Sequence, residues 1–226
     1  MQVCQGVQHA HQKGLIHRDL KPNNVLVADI GDQAVPKVID FGIAKAVDDP
    51  LTEGEALTGA GAIGTPNYMS PEAFQGHADL DTRADVYSLG IVLYELLAGV
   101  RPDDLSPMAL IRLTMAGQRA EPPRMTARVL GLDPDKASAL AAARGLGRSQ
   151  WAQQLRDDLD WIVQCAIALD RNRRYASVAD LAADLNRFLQ HQAVEARPPS
   201  LRYRAGKFVR RHRVPVLAAA LVLVAL

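Results

Sequence analysis

The chain has 226 residues, 48% of them hydrophobic and 23% charged. That balance argues against a disordered polymer and is enough for one or two domains with a proper core. A net charge of +1 hides a segregation. Seven basic residues (Arg197, Arg202, Arg204, Lys207, Arg210, Arg211 and Arg213) and no acid lie in 196–213, leaving 19 basic against 25 acidic residues elsewhere.

Residues 1–14 are polar and carry His9, His11 and Lys13, so they do not form the apolar run of a signal peptide. Val3, Val7 and Ala10 give 2–13 a helical period that Gly14 stops. The pattern opens at Met1 as if a helix were entered partway, and the expectation is a chain cut at its N-terminus. Leu15-Ile16, Val25 to Val27 and Pro36 to Ile39 suit short strands around an ordered loop. Residues 43–66 are rich in Gly, Thr, Ala and Asp without a period and predict a long loop. Val86, Leu89, Leu93, Leu96 and Leu97 predict a strong helix over 82–97, stopped by Gly99. Prolines break 100–150 into short pieces. Leu155, Leu159, Ile162, Val163 and Ala166 mark another helix. Ser177, with Asp180 three residues on, opens a last one striped by Val178, Leu181, Leu185, Phe188 and Leu189. Cys4 and Cys165 come without a CxxC or a histidine cluster and read as ordinary buried thiols. Trp151 and Trp161 read as packing residues.

Four motifs follow one another in a fixed order. They are His17-Arg18-Asp19-Leu20-Lys21-Pro22-Asn23-Asn24, then Asp40-Phe41-Gly42, then Gly64-Thr65-Pro66-Asn67-Tyr68-Met69-Ser70-Pro71-Glu72, then Asp85-Val86-Tyr87-Ser88-Leu89-Gly90. Together they resemble the catalytic loop, metal-binding triplet, activation-segment end and following helix of protein kinases. The resemblance covers residues 1 to about 190. It implies an α+β, protein-kinase-like fold: a mainly helical C-lobe with short strands around the catalytic loop. The cofactors it implies are ATP and Mg²⁺.

The chemistry suits the spacing, because phosphoryl transfer asks for positioning and charge neutralisation rather than covalent catalysis. In the resemblance, Asp19 accepts or orients the substrate hydroxyl's proton, a role worth ~10²–10⁴-fold. Lys21 sets a cation where charge develops, and a lysine there goes with serine/threonine kinases. Asn24 and Asp40 supply oxygen to Mg²⁺. Arg18 is placed to meet a phosphate on the activation segment, with Thr52 and Thr58 as candidate carriers. Thr65 matches the threonine that packs beside the base and lysine. His17 is expected to be a packed structural residue. Asp85 has two readings: an anchor for catalytic-loop amides, or half of a capping box with Thr82. Glu72 and Arg174 match a pair tying the activation segment to the lower lobe; unrelated surface charges are the alternative.

None of the 226 residues forms a Gly-rich loop or a V-A-I-K-like strand lysine. The expectation is therefore a C-lobe without its N-lobe, inactive alone. A pseudokinase scaffold or an ATP-binding signalling module is the alternative function, although Asp19, Asn24 and Asp40 are all present. Residues 214–226 are apolar apart from Pro215 and follow directly on the basic stretch, a positive-inside pattern. The expected division is a kinase C-lobe at 1–190, a basic juxtamembrane linker at 191–213 and the start of a membrane helix at 214–226. A buried C-terminal helix is the alternative for the last segment. This order resembles bacterial receptor-like serine/threonine kinases, anchored in the membrane with the kinase in the cytoplasm. The implied partners are ATP, Ser/Thr-bearing protein substrates and the membrane, with a homodimer as a further assembly and no nucleic acid.

Overall fold

The computed structural model describes residues 1–41, 66–75 and 79–211. The polypeptide begins in helix α1 (Gln2–Gln12), which buries Cys4, Val7 and Ala10 on one face. Gly14 turns it at φ 75°, a conformation that needs no Cβ. Leu15 and Ile16 form no strand, and the chain instead runs through an irregular loop into a 3₁₀ turn, Pro22–Asn24. Strands β1 (Val25–Ile30) and β2 (Gln33–Val38) then pair antiparallel, with Ile30 opposite Gln33. Gly31 and Asp32 both take positive φ, 57° and 64°, which gives the primed two-residue turn matched to strand twist. The strands are longer than the apolar runs suggest because this turn closes them into one hairpin. Leu26, Val27 and Ile30 stay exposed on it, so no other described residue covers that part of the sheet.

The remaining described chain is helical: α2 (Pro71–Phe74), α3 (Arg83–Ala98), α4 (Pro107–Met115), α5 (Met125–Leu130), α6 (Pro134–Ala142), α7 (Arg148–Leu155), α8 (Asp158–Ala166), α9 (Val178–Leu189) and α10 (Leu201–Arg211). Helix α3 is the spine. Residues Ala84 to Val92 are buried without a break, so the helix is covered nearly all round rather than along one stripe. Leu96, one of the residues that mark the helical period, is 66% exposed. One side of α3 packs Tyr87, Ile91 and Tyr94 against Met125, Trp151 and Val163. The other packs Val86 and Leu89 against Val7, Leu20, Ile162 and Leu181.

Gly90 lets α8 come close. A Cβ there would meet Ile167 Cγ2 at 2.6 Å and Ala166 Cβ at 2.8 Å. Gly99 ends α3 in the left-handed conformation, and its N–H donates to Glu95 O at 2.8 Å. The single helix expected around Leu155 to Ala166 is two. Asp157, at φ 68°, breaks it, leaving Leu155 in α7 and Leu159 in α8. Ser177 caps α9 by accepting from the Asp180 N–H at 3.2 Å, as its spacing predicts. Trp151 is core, donating its indole N–H to Leu97 O at 3.0 Å, while Trp161 is half-buried under Arg124. Cys4 is buried and Cys165 half-buried; both are free, and burial pushes Cys165 up to about 11.

Candidate active site

The loop after α1 is held by one carboxylate from α3. Asp85 is fully buried, and its two oxygens accept the backbone N–H groups of His17 (2.8 Å) and Arg18 (2.9 Å). His11 Nε2 lies 2.7 Å from the same Oδ2. Arg18 sits at φ 65°, a costly conformation for a residue with a Cβ, and Asp85 grips the peptide on its N-terminal side. The capping-box alternative is not what forms: Thr82 makes no side-chain cap, and Asp85 points across to the loop. His11 escaped the sequence reading because nothing in the spacing of α1 marks the side chain that faces α3.

His17 is fully buried, as expected of a structural residue. Asp19 N–H approaches its Nδ1 at 3.4 Å, so the ring's proton sits on Nε2, which donates to Ile39 O at 2.9 Å. The ring also packs on Phe41 with centroids 4.7 Å apart. One histidine therefore joins the loop carrying Asp19 to the segment carrying Asp40. Asp40 itself is exposed at φ 57°.

Within the loop, Lys21 Nζ donates to Asp19 Oδ2 at 2.8 Å. Buried Asn24 donates Nδ2 to Asp19 O at 2.8 Å, with a longer approach of 3.4 Å to Oδ2. With Nδ2 committed as the donor, Oδ1 is left as that amide's acceptor. The donor set fits Mg²⁺: one amide oxygen and one exposed carboxylate, each hard oxygen, with no thiol or imidazole cage. Mg²⁺ ordinarily takes one or two such protein ligands beside phosphate oxygens and water. Among the described residues no group of three His, Cys, Asp or Glu converges as a metal site of its own.

The end of the activation-segment motif is tied down separately. Ser88 donates to Tyr68 O at 2.8 Å, and the Tyr68 hydroxyl donates to Glu95 at 2.5 Å. Burial first, then Glu95, pushes the Tyr68 phenol upward. Glu72 and Arg174 form a buried two-point pair, at 2.6 and 2.8 Å. Arg174 also donates to Ala168 O, Leu169 O and Arg83 O and lies over the Tyr87 ring. Burial alone would raise the Glu72 carboxyl, but Arg174's hydrogen bonds and charge outweigh it and hold the group below its usual range. Unrelated surface charges are thus not what these two residues are. Gly42, Thr52, Thr58 and Thr65 lie outside the described residues, as does the apolar run 214–226. Among the described residues no helix is long and apolar enough to cross a membrane.

The protein kinase domain model matches residues 1–177. Serine/threonine-protein kinase PknB of Mycolicibacterium smegmatis is 36% identical over 196 residues, which is 86% of this chain and 26% of that protein. Serine/threonine-protein kinase pkn3 of Myxococcus xanthus is 48% identical over 103 residues, 45% of this chain and 18% of that protein. The chain thus spans about a quarter of the length of the PknB relative. Among solved structures, the kinase domain of PknI from Mycobacterium tuberculosis aligns over 81% of this chain and 50% of its own, with 27% identity and a TM-score of 0.48.

Proposed function

Because this chain belongs to the protein kinase domain family, we propose that its gene product is a serine/threonine kinase, moving the γ-phosphoryl group of ATP to Ser or Thr hydroxyls of proteins. The observation that carries the proposal is the Asp19–Lys21–Asn24 cluster on a loop whose backbone is clamped by Asp85. Asp19 accepts the hydroxyl proton through a carboxylate oxygen. Lys21, already 2.8 Å from that carboxylate, orients it and offers its remaining N–H groups to the moving phosphoryl oxygens. Asn24 and Asp40 are the residues to hold Mg²⁺, which neutralises phosphate charge when bound. Asp85 acts one step back, by fixing the peptide that presents Asp19.

The test is transfer of radiolabel from ATP to a protein substrate by the product of the full reading frame, beside its Asp19→Asn variant. Loss of at least ~10²-fold in the variant supports the assignment. Equal transfer by both ends it.

The finer parts of the same proposal are these. Residues 1–190 form the lower lobe. These 226 residues alone turn over slowly, because none of them supplies a Gly-rich loop or a strand lysine to hold the phosphates. Normal turnover by the 226-residue chain with Mg-ATP would overturn that. Residues 214–226 begin a membrane anchor with the kinase on the cytoplasmic side, in line with the basic stretch before it. Release of the full product from membranes by alkaline carbonate would contradict the anchor.

A further inference from the structure

Helix α10 is seated on the body by one edge. Tyr203 and Lys207, one turn apart, both reach the buried Asp158, and the Tyr203 hydroxyl also accepts the Val194 N–H at 3.0 Å. Within 201–209 these two residues are partly shielded and all the others are exposed. On the opposite side Leu201, Ala205, Phe208 and Val209 recur at i, i+4, i+7 and i+8, the spacing of one helix face. Such a stripe ordinarily turns inward. Here it faces out, with Leu201 87%, Phe208 60% and Val209 47% exposed. At about 100° per residue, Arg204 falls on one flank of the stripe and Arg202 on the other. Both arginines are exposed.

Charge decides what can cover this face. Residues 196–213 hold seven cations and no acid. A second copy of the chain is a poor cover, because pairing two stripes sets Arg202 and Arg204 against their own kind. An anionic surface is a good one. An apolar stripe edged by arginines lies in the plane of a bilayer, its side chains sunk to the acyl boundary and its guanidinium groups among the phosphates. Chain order agrees, since the apolar run 214–226 follows α10 within three residues. We propose that α10 lies in the headgroup layer of an anionic membrane, with Leu201, Ala205, Phe208 and Val209 toward the acyl chains and Arg202 and Arg204 on lipid phosphates. The proposal rests on the reading of 214–226 as a membrane anchor and adds to it a second contact, in the plane of the surface. The helix is then held from two sides, by Asp158 from the body and by lipid from outside.

The test is co-sedimentation of the 226-residue chain with two kinds of vesicle in one buffer, pure phosphatidylcholine and an equal mixture of phosphatidylcholine and phosphatidylserine. Binding to pure phosphatidylcholine reports on 214–226, and the excess on the mixture reports on α10. Arg202→Gln with Arg204→Gln is expected to weaken binding to the mixed vesicles about 25-fold, at about fivefold per cation. Leu201→Ser with Val209→Ser removes no charge and is expected to weaken it by ~10-fold or more. All four side chains are exposed, so both variants are expected to melt with the parent in solution. Equal binding of parent and variants to the mixed vesicles overturns the proposal and leaves the anchor standing. A preference for phosphatidylserine that survives the serine pair also overturns it, since that is charge attraction without a seated helix. Variant-sensitive binding to the mixture, with none to pure phosphatidylcholine, supports the seated helix and removes the anchor. No binding of the parent to either vesicle overturns both.

Discussion

Glu72, Asp85, Asp158 and Asp160 are buried, and each ties together segments distant in sequence. Asp160 on α8, for example, accepts the Thr126 N–H and hydroxyl at the start of α5. Removing one partner from such a site leaves an uncompensated charge, which is worse than replacing both. Arg174→Met is therefore expected to lower unfolding free energy by about 3–5 kcal/mol, read from urea denaturation. The pair also sets an acid limit. The folded Glu72 carboxyl lies below its ordinary 4.5, so its contribution is complete above the ordinary range. It is lost as pH falls through the lowered folded value. Urea midpoints of the parent should drop over that acidic window, and the Arg174→Met chain should lose this part of the drop. The two ends of this pair were legible in the sequence only through the resemblance to protein kinases, which matches Glu72 and Arg174 to a paired glutamate and arginine. His11, Asp158 and Asp184 were not, because a lone acid or histidine carries no periodic signature until tertiary packing chooses its partner.

At the scale of elements, caps were more legible than faces. Gly99 and Ser177 act through local backbone chemistry and were placed by it. The apolar period found helix α3 but not its burial, because elements pack on both sides of it and period alone cannot select a face. The break at Asp157 has no glycine or proline to announce it, since an ordinary residue takes the left-handed conformation there. The hairpin turn at Gly31-Asp32 carries its signal in turn chemistry, not in the apolar runs beside it. Where α3 meets α8, spacing is set by the missing Cβ of Gly90. Gly90→Ala forces Ile167 and Ala166 to give way, at a cost of about 1–3 kcal/mol. Hydrogen exchange should locate the loosening in α3 and α8, and uniform protection there would contradict it.

Across the whole molecule, residues 191–211 of the expected basic juxtamembrane linker are folded onto the body. Asp184, fully buried, accepts the Glu195 and Ala196 N–H groups at 2.7 and 2.9 Å as well as the Tyr175 hydroxyl. Asp158 gathers the Tyr203 hydroxyl at 2.9 Å, Arg197 at 3.3 Å and the ammonium of Lys207. Burial, then the Asp158 contacts, pushes Tyr203 up to about 12. Composition alone marked these cations as a basic stretch and gave no hint of the two acids that claim three of their neighbours. Asp158→Asn is expected to raise amide exchange in 201–207 about tenfold, a change of ~1.4 kcal/mol, while α3 keeps its protection. Unchanged exchange in 201–207 would show that Asp158 does not hold α10.

This docking decides how far the Asp19 cluster can roam from whatever follows α10. As free coil, the 21 residues from 191 to 211 would span ~25 Å with wide scatter, and the local concentration of any tethered target would be spread over that sphere. Fastened by Asp158 and Asp184, the same stretch becomes a stiff bracket with a set bearing. A target tethered beyond α10 would then be sampled from a narrow solid angle instead of a cloud.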